Sequence, residues 1–281
     1  MPTSNSAWGL PTTATTVAAT FPESIKNRTI LITGVNRSGL GYTTASAFDS
    51  QSPSTIIITG RSHAKLTESA DALRTEYPSV TIKPLHLDLS SQASVREAAP
   101  TLLAWDDVPA IDIVVNNAGI MNLPSRTLSV DGVEMHFATN HILVGTNKRI
   151  VNMSSVATFV SPVRFSDLRW ETPHRDIPEY FPFGAYGRSK TANILHAVGL
   201  NKAVGKKGLV SFAVHPGEIK TELHRSTDQK WLAKAMEARK QAGQGGRLPG
   251  QREGSGYALD QEAAEKLWKV SEELVGEKFA W

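Results

Sequence analysis

At 281 residues, with 40% hydrophobic and 20% charged side chains, the chain has the balance of a globular protein that can bury one large α/β core. No apolar run approaches the ~20 residues of a membrane span, and a formal charge of +3 argues against a nucleic-acid partner. The absence of cysteine excludes a disulfide framework, a thiol nucleophile and a thiolate metal site, and fits a cytoplasmic location.

Residues 1–25 read as a flexible N-terminal arm, because 1–20 is rich in Ser and Thr and lacks both a basic residue and a continuous apolar core. From residue 26 to 281 a single domain is expected. Short β-branched apolar runs at 29–33, 55–59, 81–87, 111–116, 149–154 and 209–215 alternate with longer helical patterns, and a short last run lies at 256–259. That alternation predicts a doubly wound parallel sheet of six or seven strands, whose ligands bind beyond the carboxyl ends of the strands.

After the first run comes a glycine turn, Gly34-Val35-Asn36-Arg37-Ser38-Gly39-Leu40-Gly41, and then a helix over 42–50. Glycines there let the backbone approach a pyrophosphate, which rests on the helix N-terminus; the alternative is a tight strand-to-helix connection. After the second run stands Gly60-Arg61, where a fold selective for NAD carries an acidic residue. A guanidinium suits a 2′-phosphate, and Arg37 offers a second positive charge, so the expected cofactor is NADP(H). Asp88-Leu89 follows the third run, its carboxylate serving either adenine or a helix cap.

The fourth run ends in Asn116-Asn117-Ala118-Gly119, whose amides can tie strand ends together and leave space for a flat ring. A helix over 131–144 carries Asn140, and the fifth run ends beside Ser155. Tyr186 and Lys190 are four apart, on one helical face, where an ammonium pulls a phenol toward working pH as a general acid requires. The eight histidines form no H-E-x-x-H motif, so His136, His141 and His215 read as structural and no metal is expected.

In this order the glycine turn, 116–119, Ser155, Tyr186, Lys190 and 216–221 resemble the short-chain dehydrogenase/reductase family over roughly 26–223. The segment 165–170 and the ending 267–274 resemble its retinol-dehydrogenase-like and WW-domain-oxidoreductase-like branch. The resemblance implies a Rossmann-type fold, with a proton donor at Tyr186, a carbonyl-orienting hydroxyl at Ser155, and Lys190 tuning the phenol and holding the nicotinamide ribose. It further implies that Asn140 positions a relay water and that Ile219 and Thr221 meet the nicotinamide carboxamide. The substrate would be a small, hydrophobic alcohol or carbonyl compound, with aromatics of the insert at 156–183 lining its pocket or merely anchoring the insert.

Four features depart from the family pattern. Four residues stand between Gly34 and Gly39 where three are usual, Pro100 falls in a helical pattern over 93–104, and 239–256 reads as a glycine-rich flexible linker. Only fifteen positions separate Asn140 from Ser155, so the helix before the fifth strand is shortened. A return along a ~20 Å strand needs ~13 helical residues, which 131–144 just supplies. Because that helix forms much of the family's subunit interface, a homo-oligomer remains open. Three readings follow: an NADP(H)-dependent oxidoreductase, a catalytically impaired nucleotide-binding protein derived from one, and an epimerase or dehydratase using the same Tyr and Lys.

Overall fold

A computed structural model of the chain describes residues 8–9, 11–141, 149–172, 180–217, 219, 221–223 and 256–279. Six described strands, β1 (Thr29–Ile32), β2 (Thr55–Gly60), β3 (Thr81–His86), β4 (Ile113–Asn116), β5 (Arg149–Met153) and β6 (Val210–Val214), form one parallel sheet in the order β3-β2-β1-β4-β5-β6. This is the doubly wound Rossmann-type α/β fold. Successive side chains of a strand point to opposite faces, so Ile30, Ile32, Ile56 and Ile58 enter one core while Leu31, Ile57 and Val114 enter the other. Pro84 sits in β3, at the sheet edge, where its missing N–H breaks no ladder on the outer side.

Helices α3 (Leu40–Asp49), α4 (His63–Glu76), α5 (Gln92–Leu103), α6 (Met135–His141), α7 (Pro182–Val204) and α8 (Gln261–Val275) cover the sheet. Their ends follow local chemistry. Ser62 and Ser91 cap α4 and α5, Asp260 accepts from Glu262 N and Ala263 N at the start of α8, and Gly276 ends it at φ 69°. Helix α5 runs through Pro100 to Leu103. Among the described residues no helix is long and apolar enough to cross a membrane.

Three expectations change. Residues 11–25 are not a free arm: Thr13 caps α1 (Ala14–Thr20), α2 (Pro22–Ile25) follows, and Ala18 and Ile25 join the core. Ala, the strongest helix former, together with the Thr13 cap and the burial of Ala18 and Ile25, outweighs the weak propensity of the β-branched Thr and Val. Residues Gly256–Ala258 form a 3-10 turn rather than a seventh strand; Leu259 N bonds to Gly256 O at 3.1 Å and the Tyr257 hydroxyl donates to Thr158 O. The helix before β5 begins at Met135, not 131, because Gly132 at φ 74° makes a turn in which Ser129 Oγ accepts from Asp131 N and Val133 N. Residues 142–148 and most of 239–256 lie outside the described residues.

Asp49, at the end of α3, is 2% exposed, and both carboxylate oxygens lack a hydrogen-bond partner among the described residues. Burial, with Glu76 nearby, raises its pKa to about 7. A folded-state value above the unfolded 3.8 means the native state binds the proton more tightly, so this group favours folding as pH falls from 7. Asp49→Asn is therefore expected to stabilise the protein by ~1–3 kcal/mol at pH 8 and by much less at pH 5, checked by urea unfolding at both.

Candidate active site

The carboxyl ends of β1, β2, β4 and β5 open on one crevice of about 410 Å³. Its floor depends on two glycines. A Cβ on Gly34, which sits at φ 70°, would lie 2.6 Å from Ala118 Cα, and one on Gly41 would lie 2.6 Å from Asn117 Nδ2. Asn117 donates to Thr33 O at 2.8 Å and Gly34 O at 3.2 Å, and so binds the turn after β1 to that after β4. The extra residue is absorbed in a turn closed by Gly39 N to Asn36 O at 2.9 Å, after which Gly39 and Leu40 open α3 in the crevice wall.

Of the other expected binding residues, Gly34, Arg61, Asp88, Leu89, Asn117 and Thr221 line the crevice. Asp88 Oδ1 accepts from Ser90 N and Ser90 Oγ at 2.9 and 2.7 Å, which makes it a turn-former; the cap of α5 is Ser91. Ser38, Gly41 and Ile219 are not in the lining, and Ile219 is exposed. Asn116 reaches sideways, donating to Asn152 Oδ1 at 2.9 Å. Arg37 departs from expectation. Its guanidinium turns to the Tyr42 hydroxyl and stacks 4.7 Å over that ring, so it does not stand beside Arg61.

Lys65 takes that place, in the crevice wall on the first turn of α4, paired with Glu222 at 3.3 Å. A lysine on the first turn after β2, at the carboxyl edge, was the signal available in the sequence. Asn36 was also missed. It lines the crevice, and its Oδ1 is buried without a hydrogen-bond partner among the described residues.

Of the four expected reacting-end residues, Ser155 and Asn140 lie outside the crevice lining and are tied to α7 by hydrogen bonds. Tyr186 and Lys190, both in α7, line the crevice, and Tyr186 shares a side-chain hydrogen bond with Ser155 at the end of β5. Lys190 Nζ donates to Met153 O at 2.8 Å and lies 5.6 Å from the Tyr186 ring centroid. Asn140, on α6, accepts from Ile120 N at 2.8 Å and donates to Ile120 O and Ser189 Oγ at 3.0 and 2.9 Å. A Cβ on Gly119 would sit 3.2 Å from Asn140 Oδ1, a contact that would need a few tenths of an ångström of give, and 3.5 Å from Lys190 Nζ, an ordinary contact.

Electrostatically the site differs from the simple expectation. Burial holds the Tyr186 phenol above its ordinary pKa, and the Ser155 hydrogen bond is what pulls it back down. Lys190 is lowered to about 8 by burial, so its ammonium is held less firmly than a surface lysine's. Beside the phenol lies an apolar patch of Met121 and Ala157 with Phe183 and Leu223, and the Phe183 ring stacks on Tyr186 at 6.1 Å. Residues 173–179 of the insert lie outside the described residues. His136 and His141 are buried, and burial lowers His141 to about 3.

Residues 28–166 match the model of a family described as short chain dehydrogenase. The chain is 35% identical over 241 residues to oxidoreductase fscI of Fusarium equiseti, which covers 73% of this chain and 93% of that one. It is 33% identical over 217 residues to retinol dehydrogenase 13 of Homo sapiens, covering 73% of this chain but only 62% of that relative. A solved short-chain dehydrogenase from Sphingobium yanoikuyae in complex with NADPH shares the fold, with a TM-score of 0.54 at 24% identity over 75% of this chain and 83% of that one.

Proposed function

We propose, from the premise that this chain belongs to the short-chain dehydrogenase/reductase family, that it is an NADP(H)-dependent oxidoreductase interconverting an alcohol and a carbonyl compound. The observation that carries this reading is that Tyr186 and Lys190, with Ser155 bonded to Tyr186 and Asn140 bonded to Ser189 behind them, line a crevice that also holds Arg61 and Lys65 at β2, with two strands between. A bound nicotinamide coenzyme supplies or accepts the hydride.

The crevice suits such a coenzyme, because its wall offers an unpartnered acceptor at Asn36 and a helix N-terminus at Gly39 and Leu40. Arg61 and Lys65 would hold the 2′-phosphate, Asp88 and Leu89 the adenine side, Lys190 the ribose, and Thr221 with Ile219 the carboxamide. On the substrate, Ser155 and Tyr186 would hold the oxygen between two hydroxyls, and Tyr186 would give or take its proton. Asn140 would keep the turn at Ile120 and the lysine in register. The patch of Met121, Phe183 and Leu223 favours a hydrophobic substrate. A cytoplasmic site of action rests on the cysteine-free composition alone.

Fluorescence titration with NADPH and NADH, followed by a panel of carbonyl compounds, tests the proposal. NADPH is expected to bind more tightly and to be turned over; binding without turnover would return the impaired-protein reading, and a preference for NADH would remove the role of Arg61. Arg61→Ala is expected to weaken NADPH by about 10–100-fold and NADH hardly at all, since one charge-assisted contact contributes ~1.5–3 kcal/mol. Equal weakening of both coenzymes would show that the guanidinium does not read the phosphate.

A further inference from the structure

Behind the site lies a pair of charges that the proposed chemistry does not use. Glu134 and Arg188 are both 0% exposed and pair at 3.2 Å. The carboxylate accepts from His136 N and Phe137 N at 3.1 Å each, from the Tyr180 hydroxyl at 3.1 Å, and bonds His136 Nδ1 at 2.7 Å. Burial alone would raise its pKa, but the His136 hydrogen bond and the Arg188 charge bring it to about 2. Arg188 also donates to Asp167 O at 2.8 Å and Leu168 O at 3.0 Å. Fully desolvated pairs are costly to assemble and are poor devices for stability alone.

Their position in the chain suggests what they do. Glu134 directly precedes α6, the helix that carries Asn140, and Arg188 stands between Tyr186 and Lys190 on α7. Further along α6, Asn140 donates to Ser189 Oγ, which donates to Tyr186 O at 2.7 Å. The ion pair and the Asn140–Ser189 bond are thus two ties to α7, one just before the first residue of α6 and one at Asn140 within it.

We propose that Glu134 and Arg188 are positioning residues that set Asn140 against Lys190 and Tyr186, doing for the shortened crossover what a long helix would otherwise do. This rests on the oxidoreductase reading.

The test is the paired variant Glu134→Gln with Arg188→Met, which removes both charges together and leaves neither one buried alone. It is expected to bind NADPH within about threefold of wild type, while kcat for a carbonyl substrate falls on the order of 10²-fold with KM little changed. The alkaline limb of its kcat profile should also move by about one pH unit, as the environment of Lys190 and Tyr186 changes. A folded double variant with wild-type kcat and an unmoved profile overturns the proposal. If the double variant does not fold, Glu134→Gln alone, which keeps the carbonyl partners of Arg188, is judged by the same two measurements. If wild type itself turns over no carbonyl compound, the oxidoreductase reading fails. Ionisation of Tyr186, read by ultraviolet difference titration against Tyr186→Phe, then decides the positioning role: a shifted titration in the variant upholds it and an unmoved one overturns it.

Discussion

Replacing Tyr186 with Phe is expected to lower carbonyl turnover by ~10²–10⁴-fold, the usual contribution of a positioned general acid, with NADPH affinity within about threefold of wild type. The ring keeps its packing against Phe183 and Met121, so thermal unfolding should change little. What disappears is the hydroxyl bonded to Ser155. Because burial raises this phenol, it holds its proton at neutral pH, as a donor for reduction must. The companion group titrates first. With Lys190 near 8 in the folded protein against an ordinary 10.5, its charge is present below that value and lost above it, so wild-type reduction should decline as pH rises past 8. A rate that keeps climbing to pH 10 would show that the ammonium is not required.

Gly187→Ala is expected to reduce kcat on the order of 10²-fold and to destabilise the protein by ~1–3 kcal/mol. In the middle of a helix the exchange normally stabilises by up to ~1 kcal/mol. Here the added Cβ would lie 2.4 Å from Ala157 O, a backbone atom that cannot rotate away. Separating α7 from the turn at Ala157 also pulls on Ser155, whose Oγ accepts from Ala157 N at 3.2 Å. Gly199→Ala, on the same helix, is the control: its Cβ would meet Ala264 O at 3.7 Å, an ordinary contact, and it should be neutral or mildly stabilising. If both variants lose activity alike, close approach at Gly187 is not the cause.

Periodicity and caps made most of the scaffold legible. The apolar runs predict all six described strands to within two residues at each end, and the ends of α8 (Gln261–Val275) are marked chemically by Asp260 and Gly276. The spacing of Tyr186 and Lys190 alone places them on one helical face, as α7 does, whereas Asn140 enters only through the family resemblance. What the sequence conceals is direction. Nothing in the order of residues says that Arg37 folds back on Tyr42, fourteen residues before Ile56, while Lys65 turns toward the crevice. Nor does spacing disclose that burial, rather than the neighbouring ammonium, dominates the state of the phenol. The short turn at Gly256–Ala258 was beyond reach for another reason, since three residues are too few to distinguish periods of two and three.

In the β4-β5-β6 half of the sheet Asn116 donates to Asn152, and Asn152 in turn donates to Ser211 Oγ and Phe212 O at 3.2 Å each. Apolar strands of Val and Ile are nearly interchangeable along their length, and grease alone would permit a neighbour to dock one notch out of place. These amide rungs oppose the error, because a slip by a single position turns Asn152 to the other face and strands Asn116, Ser211 and Phe212. The same slip would carry Met153 away from Lys190 Nζ, which is anchored to its carbonyl. Misassembly of this sheet and loss of its chemistry are therefore one event, and a chain that has threaded wrongly cannot pass as a weak enzyme.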